Sequence, residues 1–554
     1  MQDATRLLIH ESASVLEALT QLDQTRKKAL IVVDDRQRLK GTVVDGDLRR
    51  GFMKGLTIKD AVALVMNNDP TFITEQMSEK EANQLLSNKF KIIPVVAPDN
   101  RVIGYYSYKQ VHENENVKNK RVTILGMGYV GLTLGALMAD SGFNVCGFDT
   151  NERMVEQLWQ KKPPFYEEGL DRYLNLVVGN RLKFTTSINE ARADVYIITV
   201  GTPLVSEEKL PNLEYIRAAV ASIGSILEKG DLVILRSTVP VGCSRDVVLP
   251  AMEKASGLKA GEDFMLAVAP ERTAEGVALK ELEHNPQIVG ALDQRSFETT
   301  SRLFHTFTPT VIDVESLEAA ELCKLIDNSF RDHLFSFANQ VARLTELLGL
   351  DLNNLIRAVN YGYSRNEIPV PSPGVGGPCL SKDPYILGNV FEQNGLDSSM
   401  IFKARKINEA GPQLIKEKLY ARLNELNKDP LTAKISLIGM AFKGHPETSD
   451  LRESTSVWLL NALESKEHVC AYDPIVDAAE LTALGVKAVG LEEAFRNADA
   501  VVVLNNHKSY LKWDLSKLLA LMNKPAVFID TWHLFNPMVL KREKGIVFGG
   551  LGNA

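Results

Sequence analysis

The residue whose type and setting most invite chemistry is Cys379, in the run Pro373-Gly-Val-Gly-Gly-Pro-Cys379-Leu-Ser-Lys382-Asp383. Glycines at this density let backbone approach a ligand and leave a neighbouring side chain accessible. A thiol placed there is a nucleophile once deprotonated, and Lys382 together with the following helix start is expected to lower its pKa. Asp383 lies about one helical turn beyond the cysteine, close enough to exchange a proton. The plainer alternative is a buried cysteine in a packed loop, the commoner fate of this residue. The surrounding glycines favour catalysis.

Two further features carry potential chemistry. Glu321-Leu-Cys-Lys324-Leu-Ile-Asp-Asn328 sets Lys324 and Asn328 at i, i+4 on one helix face. A cation and an amide presented together can stabilise an oxyanion, although this spacing is also common on solvated helices. Glu271, in Pro270-Glu271-Arg272 just after an apolar run, offers a carboxylate at the edge of a sheet where cofactors bind. By contrast, Cys323 lies in a helical pattern, and Cys146 and Cys470 lie in apolar strands; all three are expected in the core.

Ile124-Leu-Gly126-Met-Gly128-Tyr129-Val130-Gly131 fits a dinucleotide-binding turn between a strand and a helix. The first glycine permits the turn, the second admits the pyrophosphate and the third allows close packing. The helix N-terminus then stabilises the phosphates. Asp149 ends the next strand, where a carboxylate bonds ribose hydroxyls and repels a 2′-phosphate, so NAD is favoured over NADP. Arg153 either flanks the adenosine or is a solvated helix residue.

These groups require a scaffold with alternating elements. Apolar runs at Arg121–Leu125, Asn144–Phe148, Val195–Val200, Leu232–Leu235 and Met265–Val268 alternate with helical patterns, the first over about Val130 to Ser141. That alternation predicts a parallel, doubly wound sheet. From Ser316 to about Leu350 an unbroken helical pattern predicts a long spine. A second α/β set follows, with strands at Lys434–Ile438, His468–Tyr472, Ala500–Leu504 and Ala526–Ile529.

The first stretch repeats itself. A helix over Ser14–Leu22 with strands Ala29–Val33 and Gly41–Val44 is echoed by a helix over Lys80–Leu86 with strands Ile92–Val96 and Val102–Tyr106. An internal repeat of this kind predicts a small paired module. The polar run Val111–Lys120 reads as a linker.

Composition narrows the class. The 554 residues are 45% hydrophobic and 24% charged with a net charge of −7, ordinary for a globular protein and without the positive field that attracts nucleic acid. The opening residues do not read as a secretory signal, and no apolar run approaches the roughly 18 residues that span a membrane. Five scattered cysteines without a CxxC pair indicate free thiols in a reducing cytoplasm, and nine histidines show no metal-ligand spacing.

From Lys120 onward the chain resembles the UDP-glucose/GDP-mannose dehydrogenase family. The marks are GMGYVG, VGTPL (Val200–Leu204), RSTVP (Arg236–Pro240), APER (Ala269–Arg272), ELCKLIDNSFRD, GVGGPCLSKDPY, GMAFK (Gly439–Lys443) and DLRES (Asp450–Ser454). The resemblance implies a four-electron oxidation of a sugar C6 alcohol to a uronic acid, using two NAD. Cys379 would form a thiohemiacetal and then a thioester, with Lys324 and Asn328 stabilising the oxyanions and contacting the substrate. Asp383 would assist proton transfer, and Glu271 would act in hydrolysis with a water held by Thr238. Gly201, Thr202, Thr238 and Arg452 would join the glycine turn in binding NAD, and Gly376 and Lys443 would bind the nucleotide sugar.

Asn328-Ser-Phe-Arg331-Asp332 and Phe337-Ala-Asn339 resemble the UDP-N-acetylhexosamine branch of that family, which oxidises GlcNAc or ManNAc nucleotides. Arg365 would there reach the substrate of a neighbouring subunit. Pro378 stands where that branch has histidine, and Lys382-Asp383 follows the UDP-glucose pattern, so UDP-glucose remains the alternative sugar. The N-terminal repeat resembles a CBS-domain pair. Asp47, in Gly41-Thr-Val-Val-Asp-Gly-Asp47, would be the ribose ligand of an adenosine nucleotide, and Gln110 stands at the matching place in the second half. Such a pair can equally be a dimerising surface.

The expected architecture is α/β: two Rossmann-like doubly wound domains joined by a long central helix, preceded by a small α+β CBS pair. The expected segments are 1–112 for the pair, 113–119 for the linker and 120–310 for the NAD domain. They continue with 311–425 for the central helical part carrying the cysteine loop, and 426–554 for the nucleotide-sugar domain. A homodimer or larger homo-oligomer is expected by resemblance, serving surface polysaccharide precursor synthesis. Two other readings are a two-electron hydroxyacid-type oxidoreductase, which gives Cys379 no role, and a nucleotide sensor that has lost catalysis.

Overall fold

The computed structural model describes residues 3–25, 29–44, 47–48, 51, 55–75, 77, 92–107, 115–205, 209–536, 540 and 543–552. Contacts divide the chain into two units: Met1–Asn119 with Glu283–Gln287 and Ser301–Ile312, and the remaining residues.

In the first unit each repeat builds a three-stranded sheet. Leu8–His10 runs parallel to Ala29–Val33, which pairs antiparallel with Leu39–Val44. Ile73–Thr74, Ile92–Val96 and Val102–Ser107 repeat the pattern. The register shifts at the same place in both, between Val32 and Val33 and between Val95 and Val96. The two turns clasp each other: Leu39 N–H donates to the Asn100 carbonyl at 2.9 Å and Val102 N–H to that of Gln37 at 3.0 Å. Val15–Thr25 is the first helix, three residues longer at its end than expected. The expected helix over Lys80–Leu86 and the residue Gln110 lie outside the described residues. The expected linker contains a short helix, Glu115–Lys118, where its polar sequence showed no periodicity.

The second unit opens with the six parallel strands of an eight-stranded sheet, ordered Leu182–Thr185, Asn144–Phe148, Arg121–Leu125, Val195–Ile198, Leu232–Leu235, Met265–Val268, beyond which Gln287–Ala291 pairs antiparallel and Val311–Asp313 forms the edge. In chain order this is 3-2-1-4-5-6, the doubly wound arrangement with a crevice where strand order reverses. Its inner strands are buried on both faces, as the continuous apolar runs require. Val195–Ile198 ends two residues before the expected Val200. There Thr199 turns its hydroxyl to the carbonyls of Leu125 at 2.9 Å and Gly126 at 2.7 Å, leaving the ladder.

A second sheet repeats the order: Lys487–Ala488, Val469–Tyr472, Ile435–Ile438, Ala500–Val503, Ala526–Asp530, Ile546–Gly550, all parallel. Between the sheets runs the helix Leu317–Leu348. Ser316 caps its start, accepting the Ala319 N–H at 3.1 Å, and Gly349 ends it in the left-handed region at φ 66°. At 32 residues it spans about 48 Å. Four more helices, Leu352–Asn360, Asp383–Gln393, Ser399–Glu409 and Gly411–Glu425, lie between the long helix and the second sheet in chain order. Among the described residues no helix is long and apolar enough to cross a membrane.

Candidate active site

At the first strand end, Gly126 adopts φ +94°, which a side chain resists, and a Cβ on Gly131 would lie 1.9 Å from the Gly126 carbonyl oxygen. Gly128 and Gly201 instead face open space, with nothing within 4 Å of an added Cβ. Gly128 caps the helix Tyr129–Asp140, one residue earlier than expected, so unpaired helix N–H groups face that space. Asp149 accepts the Met127 N–H at 2.8 Å and the Asn151 N–H at 2.9 Å, and its half-buried carboxylate keeps acceptor capacity for ribose hydroxyls. This cradle fits a dinucleotide. Asp473 in the second sheet accepts from Met440 at 2.8 Å in the same manner but is buried, so only Asp149 presents an edge to a ligand. Val130 follows in the first helical turn, half-buried, and Arg153 is exposed one helix further on. Tyr129 turns its hydroxyl to Glu167, and the Gly276 N–H donates to it at 3.0 Å.

The cysteine loop is fixed by close packing. A Cβ on Gly376 would lie 2.0 Å from the Glu453 carbonyl oxygen, and Gly377, at φ +85°, sits against the Phe442 ring. Gly377 N–H donates to that same Glu453 carbonyl at 2.9 Å. Arg405, fully buried on the helix Ser399–Glu409, donates to the carbonyls of Leu380 at 2.8 Å and of Val375. Its charge is met by Asp332 at 2.6 Å.

Cys379 emerges from this loop with its surface open, while Asp383, Asn328 and Lys324 beside it are buried. The dense protein around the thiol pushes its pKa up, with Lys324 and then Lys382 opposing and Asp383 reinforcing. The sequence led us to expect a lowered value. Desolvation outweighs both lysines, and Lys382 directs its charge to Asp383 at 2.6 Å. Asn328 donates to the other oxygen of Asp383 at 2.5 Å. Lys382 also reaches the Thr202 hydroxyl at 3.4 Å, which in turn donates to the Thr238 carbonyl at 2.6 Å. A polar relay thus runs from the cysteine loop to the sheet edge beside the glycine turn.

Cys379, Lys324, Asn328, Gly376 and Lys443 line one cavity of about 580 Å³, walled by both α/β halves and the long helix. Glu271 does not line it. Its carboxylate is taken by Arg236 at 2.6 Å and by the N–H groups of Arg272 and Thr273 at 2.7 and 2.8 Å. Burial raises its pKa, but Arg236 prevails and holds it below the ordinary range. The carboxylate on the cavity wall is Glu275, pushed up to about 7 by burial and by Asp450. Arg452 bonds Asp450 at 2.6 Å and approaches Glu275 at 3.6 Å, so it stands beside this carboxylate. Thr448 donates to Glu275 at 3.2 Å, and Lys443 donates to the Glu275 carbonyl at 2.7 Å. Burial lowers the Lys443 pKa.

Arg365 lies outside the cavity, exposed, with its guanidinium 4.7 Å from the Tyr363 ring centroid. In the first unit Asp47 accepts the Val44 N–H at 2.9 Å. Cys470 is buried as expected, whereas Cys146 and Cys323 are half-buried at the core's margin. All five cysteines are free, and no cluster of metal-ligating side chains occurs among the described residues. Sequence reading missed Glu275 and the Asp332–Arg405 pair. The available signals were a second carboxylate four residues after Glu271 and charged residues within apolar helical patterns.

A nucleotide-binding cradle, a second Rossmann domain and a cysteine opening between them define a two-domain dehydrogenase. Residues 120–308 match the NAD binding domain of the UDP-glucose/GDP-mannose dehydrogenase family, 318–410 its central domain and 436–537 its UDP binding domain. The chain belongs to this family and is an NAD-dependent nucleotide-sugar dehydrogenase. Residues 5–54 and 58–114 match CBS domains. The UDP-N-acetyl-D-mannosamine dehydrogenase of Campylobacter jejuni is 33% identical over 411 residues, 72% of this chain and 98% of that protein. The NDP-N-acetyl-D-galactosaminuronic acid dehydrogenase of Ralstonia solanacearum is 30% identical over 420 residues, 74% of this chain and 95% of that one. The solved UDP-D-ManNAc dehydrogenase from Pyrococcus horikoshii superposes with a TM-score of 0.71 at 30% identity, covering 78% of this chain and 99% of its own.

Proposed function

We propose that this chain oxidises the C6 alcohol of a UDP-N-acetylhexosamine, GlcNAc or ManNAc, to the uronate through a thioester on Cys379. The carrying observation is the cavity itself: an open thiol gathered with Lys324 and Asn328, the latter hydrogen-bonded to the buried Asp383 carboxylate. The names of the relatives above, each an N-acetylated sugar, support the substrate class.

Gly126, Gly128, Gly131 and Asp149 would hold NAD, with Tyr129, Val130, Gly201, Thr202 and Thr238 contributing to its site. Bound there, the cofactor would supply the hydride acceptor for two successive two-electron oxidations of the sugar carbon. Lys324 and Asn328 hold the sugar oxygen and take up its negative charge as it develops. After oxidation to the aldehyde, the Cys379 sulfur bonds the carbonyl carbon and its proton passes to the oxygen, giving a thiohemiacetal. A raised thiol pKa means this proton must be drawn off during attack, and the Asp383–Lys382 pair is placed to relay it to that oxygen. The second oxidation gives the thioester. Water then adds, the carbon–sulfur bond breaks, and the uronate and thiol are released. Glu275, titrating near 7 on the cavity wall, suits the base for that water. Glu271, paired with Arg236, fixes the loop that carries it.

The long helix turns a buried polar stripe inward and exposes Ile326, Phe330, Phe337, Leu344 and Leu347. A second copy covers this apolar face, from which Arg365 serves the neighbouring cavity. The free thiols suit a reducing cytoplasm, and the CBS pair is a site for an adenosine nucleotide at Asp47.

Counting NADH per sugar over UDP-GlcNAc, UDP-ManNAc, UDP-GalNAc, UDP-glucose and GDP-mannose tests the reading. Two NADH on an acetamido sugar, lost in Cys379→Ala, supports it. One NADH per sugar, or turnover indifferent to Cys379, overturns it. Lys382-Asp383, the pattern of the UDP-glucose enzymes, favours UDP-glucose as the second reading, and the same panel separates the two.

A further inference from the structure

Two cations on the cavity wall, Lys324 and Arg331, have no hydrogen bond or ion pair among the described residues. Lys324 acts on the Cys379 thiol through its charge, so it belongs to the reacting end. Arg331 is a separate case. The two acids nearest it on its own helix are already engaged: Asp327 by Arg272 at 2.6 Å and Asp332 by Arg405 at 2.6 Å. The exposed guanidinium of Arg331 is therefore left to face the cavity with its donors unspent.

Position along the helix says which part of a substrate it meets. Arg331 follows Asn328 by three residues, about 4.5 Å along the axis and on nearly the same face. Phe335, one turn further and half-buried, also lines the cavity. Lys443 lines the same cavity from the domain that matches the family's UDP binding domain, and suits the diphosphate. The helix wall beyond Asn328 thus meets the sugar ring next to the carbon being oxidised.

We infer that Arg331 and Phe335 form the subsite for the sugar's acetamido group, Arg331 donating to its carbonyl oxygen and Phe335 packing against its methyl. A fork of donors followed one turn later by an apolar ring is complementary to an amide bearing a methyl. A hydroxyl in the same place fills the donor and leaves the aromatic wall unused. The inference rests on the acetamido-sugar reading proposed above.

The test measures kcat/KM for the acetamido sugar that wild type oxidises best and for UDP-glucose, in wild type, Arg331→Leu and Arg331→Lys. The ratio of acetamido sugar to UDP-glucose should fall roughly ten- to a hundredfold in Arg331→Leu, the range for a hydrogen bond to a charged donor. It should fall in Arg331→Lys as well, because an ammonium lacks the planar fork. A ratio within about threefold of wild type in both variants overturns the inference. So does an equal loss on both sugars together with weaker inhibition by UDP alone, which makes Arg331 a diphosphate ligand. Wild type that oxidises no acetamido sugar defeats the functional reading itself, a result visible before any variant is made.

Discussion

Asn328 on the long helix and Asp383 at the start of the helix after the cysteine loop are joined by a 2.5 Å hydrogen bond, both buried. They are 55 residues apart in sequence. The bond fixes the loop to the helix that carries Lys324, so thiol and cation keep one geometry.

Breaking it should be costly and non-additive. Asp383→Ala leaves Lys382 and Asn328 without their shared acceptor and should destabilise the protein by about 3–5 kcal/mol, and Asn328→Ala by about 1–3 kcal/mol. The double variant should cost less than the sum, because the second change removes a group already orphaned. Urea denaturation of the three variants measures this.

Arg405 should behave similarly at a distance from the thiol. Arg405→Ala strips donors from the Val375 and Leu380 carbonyls and leaves Asp332 charged and buried. A loss of about 3–5 kcal/mol is expected. Arg405→Met combined with Asp332→Leu should recover much of that stability while leaving activity low, since the loop carbonyls stay unsatisfied. Thermal melts alongside NADH assays separate the two effects.

Gly376→Ala should act on the chemistry. Its Cβ would stand 2.0 Å from the Glu453 carbonyl oxygen, so the cysteine loop must shift. A displacement near 1 Å at a reacting group costs about a hundredfold in rate. The expectation is a loss of that size in kcat with NAD binding, followed by fluorescence titration, retained.

Glu275 should govern the pH dependence. Its folded pKa, about 7, lies above its ordinary 4.5, so the folded state holds its proton more tightly than the unfolded chain does. The stability it contributes is complete below about 4.5 and is lost as pH rises through about 7. Glu275→Gln should therefore gain stability relative to wild type above neutral pH. It should also remove an inflection near 7 from the kcat/KM profile. A wild-type profile flat across neutrality contradicts the assignment.

Much of this was legible in the chain. GxGxxG at Gly126–Gly131 with Asp149 demands a cradle because only glycine tolerates the φ of +94° and the 1.9 Å approach found there. Unbroken apolar runs forecast buried parallel strands, and the spacing of Lys324 and Asn328 placed both on one face. Local sequence dictates these features, since backbone sterics and period act over a few residues.

What only the tertiary structure decided is what depends on neighbours far along the chain. The Cys379 pKa rises because many distant segments converge on it, a desolvation that no local window contains. Glu271 and Glu275 look alike in sequence. Arg236 claims the first and Asp450 presses on the second, so one is locked and the other stands on the cavity wall near neutrality. Among the described residues Arg331 is left without a partner, because Arg272 and Arg405, from other elements, take its flanking acids. Sequence determined which chemical groups exist and which face they occupy, and long-range packing decided which remain available.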